Sequence, residues 1–491
     1  MTDTGMLKSA IAPEIAAILF ADRSDEDHGG ARSELELISE VDRAHLVMLH
    51  GAGLVPVPVA GALVREIDRL RLERFDAVVA APRPRGLFLA YEGELIERLG
   101  IEVGGVLHSG RSRNDLNATT QRLRARVACS DAAGGLLWLV QTLLGRAREH
   151  ATTVMPAYTH YQIAMPITVG HYLTAVAWAG LRNVRALLHA GDETDLSPLG
   201  AGAGGGTTLA LDVTRTASLL GFAGLIPNTI EAVASRDYVL QLLGAATQIG
   251  VLLGRVATDL LLWTTEEVGF VYLPDDLVGS SSMMPQKRNA FVLEHIQGRS
   301  CAAAGAFVSA AGAMSAAPFT NSVAVGTEGT RNLMLTMRET VETVRLLQLV
   351  IAGMIPNPER MHARAVAGYS NATAVAEALV AAGVPFRQAH AEVGALVRQA
   401  YDAGRAPLES VAGLSAQMEA AVGANDSPAD VVQRSALPGG PSEASLQASI
   451  EQAQDMAQGC RADLERRGER WRNARADLDD ACAALQRDFA A

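Results

Sequence analysis

Apolar residues recur at three- and four-residue spacing through most of the chain, the pattern of helices that bury one face. The runs SELELISEVDRAHLVMLHGAGL (33–54) and ALVREIDRLRLERF (62–75) read as helices parted by the Pro-rich VPVPV turn. A long helix is predicted from Asp115 to about residue 150, with Asn114 or Asp115 capping its first turn. Another is predicted across ITVGHYLTAVAWAGLRNVRALLHA, with Pro166 as an early helical residue after a loop at 156–165. The final segment keeps the same spacing from Leu446 through Ile450, Ala453, Leu464, Trp471, Leu478 and Leu485. No alternating strand pattern of any length is visible, so the expected fold is all-α.

Two stretches carry more apolar surface than a monomer would hide. Residues 239–263 are almost continuously apolar, and residues 300–327 contain no charged side chain. The second is built of Ala, Gly and Ser and lacks the Leu and Ile of a spanning helix. It is expected to be packed closely on every side within a bundle, and oligomerisation through a helical core accounts for both stretches. The expected division is an N-terminal helical domain over 1–110, a central helical bundle over 111–360 and a smaller, more polar helical domain over 361–491.

Charge narrows the choice of partner. With 42 basic and 54 acidic residues the formal charge is -12, which argues against a nucleic acid or an anionic membrane. An anionic small substrate would need a local basic pocket. The four cysteines are dispersed, without a CxxC pair, as expected of free thiols in a reducing cytoplasm. The first residues, MTDTGMLKSA, show no basic region followed by a long apolar run, so no signal peptide is expected.

Candidate chemistry concentrates in GSSSMMPQKRN, residues 279–289, which gathers small residues, hydroxyls, a lysine and an amide ahead of a helix. Lysine occurs only at positions 8 and 287, so the other forty basic residues are Arg. Position 287 resists that bias, as a point charge on a carboxylate requires and an Arg fork does not reproduce. Two further loops meet predicted helices: HSGRSRN supplies Arg111, Ser112, Arg113 and Asn114, and the 156–165 loop supplies Thr159 and His160. Ser281, Ser282, Lys287 and Asn289 complete three sets of donors at helix N-termini, sites suited to carboxylates or phosphates. GAGAGG at 200–205 satisfies GxGxxG, but no apolar strand precedes it, and it reads as a mobile loop. His108, His160 and His171 lack metal-ligand spacing, so no metal is expected, and GSS lacks the GxSxG elbow of hydrolases.

The segments HSGRSRND, YTHYQ and SSSMMPQKRN resemble the three signature regions of the fumarase and aspartase superfamily, in particular its argininosuccinate lyase branch. NTIEAVASRDYVLQLL, TEEVGFVYLP and AVAEALVAAGVPFRQAH are similar to that branch in the same order. The resemblance implies an all-α, three-domain homotetramer with one central helix bundle and active sites assembled from three subunits. It implies reversible anti-elimination that releases fumarate from a succinyl compound, without a cofactor. Ser281 resembles the general base, and Lys287 and Asn289 the groups that stabilise the aci-carboxylate intermediate. Arg111, Ser112, Arg113, Asn114, Thr159 and Ser282 resemble the dicarboxylate contacts. His160 resembles a histidine paired with a glutamate, here Glu294; its role as acid, base or organiser stays open.

Departures from the branch concern the amine. Where the branch carries an EDIH-like segment, this chain has RGLF at 85–88, with Phe88 in place of the histidine. Where it carries a YNRDLQEDK-like segment, this chain has FTNSVAVGT at 319–327. A WGGRF-like motif near the N-terminus is missing as well. A site built to hydrogen-bond citrulline or a guanidinium discriminates by those groups, so their loss beside an intact fumarate-binding set implies another amine. The pattern is most similar to lyases of ethylenediaminedisuccinate, which yield fumarate and N-(2-aminoethyl)aspartate. Argininosuccinate is the alternative substrate, and a catalytically silent member is the remaining one.

Overall fold

The computed structural model describes residues 6–20, 26–81, 86–404, 414–425 and 427–490; Arg85 of the RGLF segment lies outside them. The fold grows from one helix, Arg113–Glu149, whose 37 residues span about 55 Å at 1.5 Å per residue. Ser112, two or three residues ahead of the expected cap, is its N-cap. Its hydroxyl accepts from the Asn114 N–H at 3.3 Å, while Asp115 Oδ1 accepts from the Ser112 N–H at 2.9 Å. Asp115 is therefore the returning half of a capping box inside the first turn.

Val169–Thr194 and Leu333–Gly353 pack along this helix. Asp237–Thr264 lies against both of those, and Phe291–Arg299 and Ala302–Ser315 lie on it in turn. Gly250 permits that approach, since a Cβ there would run into the Ser300 carbonyl oxygen. By length and composition Arg113–Glu149 and Asp237–Thr264 are apolar enough to cross a membrane; here they form the middle of a bundle. One apolar core joins Leu143, Leu187, Leu253, Leu293 and Leu347. A second gathers Leu35, Leu63, Ile67, Tyr91 and Leu107, and a third gathers Val375, Leu379, Val393, Leu396 and Val422.

These cores draw on more than one of the expected segments: Leu7 and Ile15 join the bundle core, and Leu116, Leu123, Leu199 and Leu219 join the one built on Leu35 and Leu63. Glu443–Ala490, 48 residues long, leaves the third core: Leu446, Ile450 and Ala453 enter the bundle core, and Leu478, Cys482 and Leu485 enter the N-terminal one. Its apolar stripe identifies a helix without saying which core it serves.

Two other expectations change. Residues 154–168 form an antiparallel hairpin, β1 (Val154–Thr159) and β2 (Gln162–Thr168), with Pro166 paired to Pro156 inside it. The following helix begins at Val169, capped by Thr168, whose hydroxyl accepts from the His171 N–H at 3.0 Å. Two prolines and a bulge between Pro156 and Tyr158 break the alternation that would have marked the strands. Within the protomer the uncharged 300–327 stretch is packed on one side. Ala302–Ser315 buries Ala303, Ala306 and Ala310, while Val308 and Val323 are 69% and 70% exposed. Val251 and Trp138 are also exposed on helices of the bundle.

The loop before the Arg113–Glu149 helix rests on buried polar groups of Glu26–Gly51. His45 Nε2–H donates to the Ser109 carbonyl at 2.8 Å, while its buried Nδ1 meets no protein partner. Burial, and then the Arg111 charge, pull the His45 pKa down to about 3, so the ring is held neutral. Because the folded value lies below the unfolded one near 6.5, its contribution is complete above that pH and is lost as pH falls from about 6.5 toward 3. Each pH unit in that window removes up to about 1.4 kcal/mol. His45→Gln, which keeps a donor for Ser109, should flatten the loss of stability between pH 6.5 and 4 measured by urea unfolding. An unchanged slope would assign the acid lability to other groups.

Candidate active site

Residues 279–289 close on themselves. Gly279 N–H donates to the Asn289 carbonyl at 2.9 Å and Asn289 N–H to the Gly279 carbonyl at 2.8 Å, pinching the loop at its base. Asn289 Nδ2 donates to the Ser280 carbonyl at 3.3 Å, and Lys287 N–H to the Met284 carbonyl at 3.1 Å. Inside the loop, Ser281 Oγ accepts from the N–H groups of Met283 (3.4 Å) and Met284 (3.1 Å). Two backbone dipoles thus aim at one hydroxyl oxygen and favour negative charge there. Ser282 and Lys287 are exposed, and Glu294 is exposed in the first turn of Phe291–Arg299.

The first junction divides its residues. Arg113 is exposed and Asn114 half-buried at the first turn, and the Ser112 hydroxyl serves as cap. Arg111 departs from its expected place on the ligand side. Its side chain has no exposed surface and pairs with Asp42, itself wholly buried. It therefore supports the loop from beneath. Asp115 is a second support, since Oδ2 accepts from the N–H groups of Gly200 (3.0 Å) and Gly202 (2.9 Å). Both glycines have positive φ, 103° and 59°, a backbone that side chains resist. The GAGAGG run is thus a turn pinned to the first junction, not the mobile loop expected. A carboxylate three residues past a cap reads as helix chemistry alone, so Asp115 gave no sign of this second partner.

Thr159 and His160 lie at the exposed tip of the hairpin, where His160 and Tyr161 take φ of 51° and 61°, the geometry of a two-residue type I′ turn. His160 and Glu294 share no hydrogen bond within the protomer among the described residues. Ser112 and the hairpin also stand at opposite ends of the same rigid helix, about 55 Å apart. Tyr158 approaches Phe270 at 6.4 Å between ring centroids, so the chain leading to Ser281 begins at the hairpin end. Gln121 Nε2 donates to the Gly326 carbonyl at 2.7 Å, and Arg236 Nε to Gln121 Oε1 at 3.1 Å. The 319–327 stretch therefore belongs to the Ser112 end. One protomer splits the candidate residues into two sets that cannot touch the same small molecule.

Phe88 is buried against His108, with ring centroids 5.1 Å apart. Burial, then Arg111 and Arg113, pull the His108 pKa down to about 4. Phe88 and a neutral His108 ring thus pack together beside the first junction. Among the described residues no group of three His, Cys, Asp or Glu side chains is placed to hold a metal.

A lyase family model matches residues 68–305, and an argininosuccinate lyase C-terminal model matches residues 369–432. The chain is 37% identical over 373 residues to the argininosuccinate lyase of Mycolicibacterium smegmatis, covering 74% of this chain and 78% of that one. It is 34% identical over 433 residues to the argininosuccinate lyase of Moorella thermoacetica, covering 86% and 92%. Among solved structures, an EDDS lyase variant with bound fumarate superposes with a TM-score of 0.87 at 27% identity, covering 98% of this chain and 97% of that one. A class II fumarase from Schistosoma mansoni shares the fold, with a TM-score of 0.71 at 15% identity, covering 86% of this chain and 96% of that one. With the helical fold, the signature loops and these relatives in agreement, the chain belongs to the argininosuccinate lyase branch of the fumarase and aspartase superfamily, the fumarate-releasing carbon–nitrogen lyases.

Proposed function

We propose that this enzyme eliminates fumarate from an N-substituted aspartate, with Ser281 as the base. The observation that carries the reading is the pair of backbone N–H groups directed at Ser281 Oγ. A serine at its ordinary pKa is too weak a base for a carbon acid; oriented donors and nearby positive charge lower the cost of its alkoxide. The alkoxide takes the proton from the carbon next to the one that carries nitrogen. Charge moves onto the adjacent carboxylate as an aci-carboxylate, held by Lys287 and Asn289. Its collapse forms the carbon–carbon double bond and breaks the carbon–nitrogen bond, and the amine leaves with a proton. Ser112, Arg113, Asn114, Thr159 and Ser282 hold the dicarboxylate, and Arg111 supports the first junction without touching it. His160, oriented by Glu294 of another protomer, is the proton carrier or organiser.

Such a site needs more than one copy of the chain, because the Ser112 and Ser281 ends lie too far apart. A homotetramer joined through the bare apolar face of the bundle supplies them. The amine is ethylenediaminedisuccinate-like in the preferred reading. Its support is Phe88 in the core, the uncharged 319–327 stretch and the likeness to EDDS lyase. The second reading, argininosuccinate, is favoured by the names and higher identities of the curated relatives.

Fumarate release, followed by ultraviolet absorbance from both compounds side by side, separates the readings. Release from ethylenediaminedisuccinate alone is expected, and Ser281→Ala should lower kcat roughly 10²- to 10⁴-fold while the oligomer stays intact. Release from argininosuccinate would transfer the assignment to that substrate, and near-normal turnover by Ser281→Ala would remove the base. Lys287→Arg should lose roughly a hundredfold in kcat despite its kept charge; retained turnover would return Lys287 to an ordinary surface role. Inactive Ser281→Ala and Asn114→Ala proteins, unfolded together and refolded as an equal mixture, should regain about a quarter of wild-type activity, since half of each contributing end is intact. No recovery would mean that the two ends serve separate sites.

A further inference from the structure

Between Lys287 and Asn289 stands a residue the reaction does not use. Arg288 is half-buried at the base of the loop, whereas Lys287 beside it is exposed. Its guanidinium is held by three contacts with the 272–275 segment. Nη1 donates to Asp275 Oδ1, Nη2 donates to the Leu273 carbonyl at 2.6 Å, and the group lies 4.8 Å over the Tyr272 ring centroid. The other carboxylate oxygen of Asp275 accepts from the Lys8 N–H at 2.7 Å. The same N-terminal segment donates from Met6 N–H to the Pro285 carbonyl within the loop and from Ala12 N–H to the Asp276 carbonyl, each at 3.0 Å. The side chains of Asp275 and Arg288 are 15% and 21% exposed, so the pair is largely shielded from water. Arg288 holds the Asp275 carboxyl below its usual range, with the Lys8 N–H as the next cause, so the carboxylate keeps its charge.

We propose that Asp275 is a positioning residue: by locking Arg288 at the base of the loop and the Lys8 segment on its edge, it fixes Lys287 and Asn289 toward the substrate. Neither Asp275 nor Arg288 touches the reacting atoms. Their effect is transmitted through the backbone of 287–289, whose displacement by an ångström is enough to uncouple a charge from its transition state. The inference rests on the proposed role of Lys287, and its test has an arm that does not.

The chain contains lysine only at positions 8 and 287, so a lysine-specific endoprotease reads the loop directly. Asp275→Asn, Asp275→Glu and wild type are compared for the rate of cleavage after Lys287 under native conditions, for kcat and KM of fumarate release, and for thermal midpoint. Asp275→Asn should be cleaved after Lys287 roughly tenfold faster and should turn over roughly tenfold to a hundredfold more slowly, with KM moved less than about threefold. Asp275→Glu should lie between it and wild type, at similar thermal midpoints. Wild-type cleavage in Asp275→Asn overturns the proposal, whether or not turnover falls. Faster cleavage with unchanged turnover also overturns it, since the lock would then not serve the reaction. If wild type releases no fumarate from either compound while cleavage rises as expected, the lock stands and the assigned reaction falls.

Discussion

The Arg113–Glu149 helix is the constraint on which the rest of the structure depends. It is long, unbroken and fixed at its start by a reciprocal cap between Ser112 and Asp115. Its length sends the groups at its two ends to different places, so no local rearrangement within a protomer can unite them. The same helix carries the bundle core on one side and Trp138 and Val127 bare on another. Burial of the bundle and the bare apolar face on its outside therefore have one origin. A shorter or kinked helix would relax both at once.

Support beneath the first junction is electrostatic and dry. Arg111 and Asp42 are withdrawn from water together, and His45 and His108 are kept neutral beside them. Such a floor is stiff because Arg111 would lose Asp42, and His45 the Ser109 carbonyl, if the loop shifted. Asp115 adds the Gly200–Gly202 turn to the same assembly. The exposed Arg113 and the half-buried Asn114 thereby stand on a base that gives little.

Much of the helical order was legible in the sequence because a buried face leaves a periodic mark. Lys287 stood out because the rest of the basic residues are Arg, and Ser281 because hydroxyls gather ahead of a helix. The hairpin was not legible, since Pro156, Pro166 and a bulge erase the strand period. Arg111 was misplaced for a different reason. Its neighbours in HSGRSRN are indistinguishable from it as donors, and only the distant Asp42 decides which way it turns. Asp275 and Arg288 were hidden likewise, because a contact across the base of a loop leaves no spacing rule.

The last helix bears on how the chain is made. Leu478, Cys482 and Leu485 complete a core whose other members, from Leu35 to Phe222, emerge more than two hundred residues earlier. During synthesis those early helices have an apolar face with no cover until the final segment leaves the ribosome. Domains that can fold as they emerge gain protection from aggregation; this one must wait. The wait ends only when the last helix returns to the first ones.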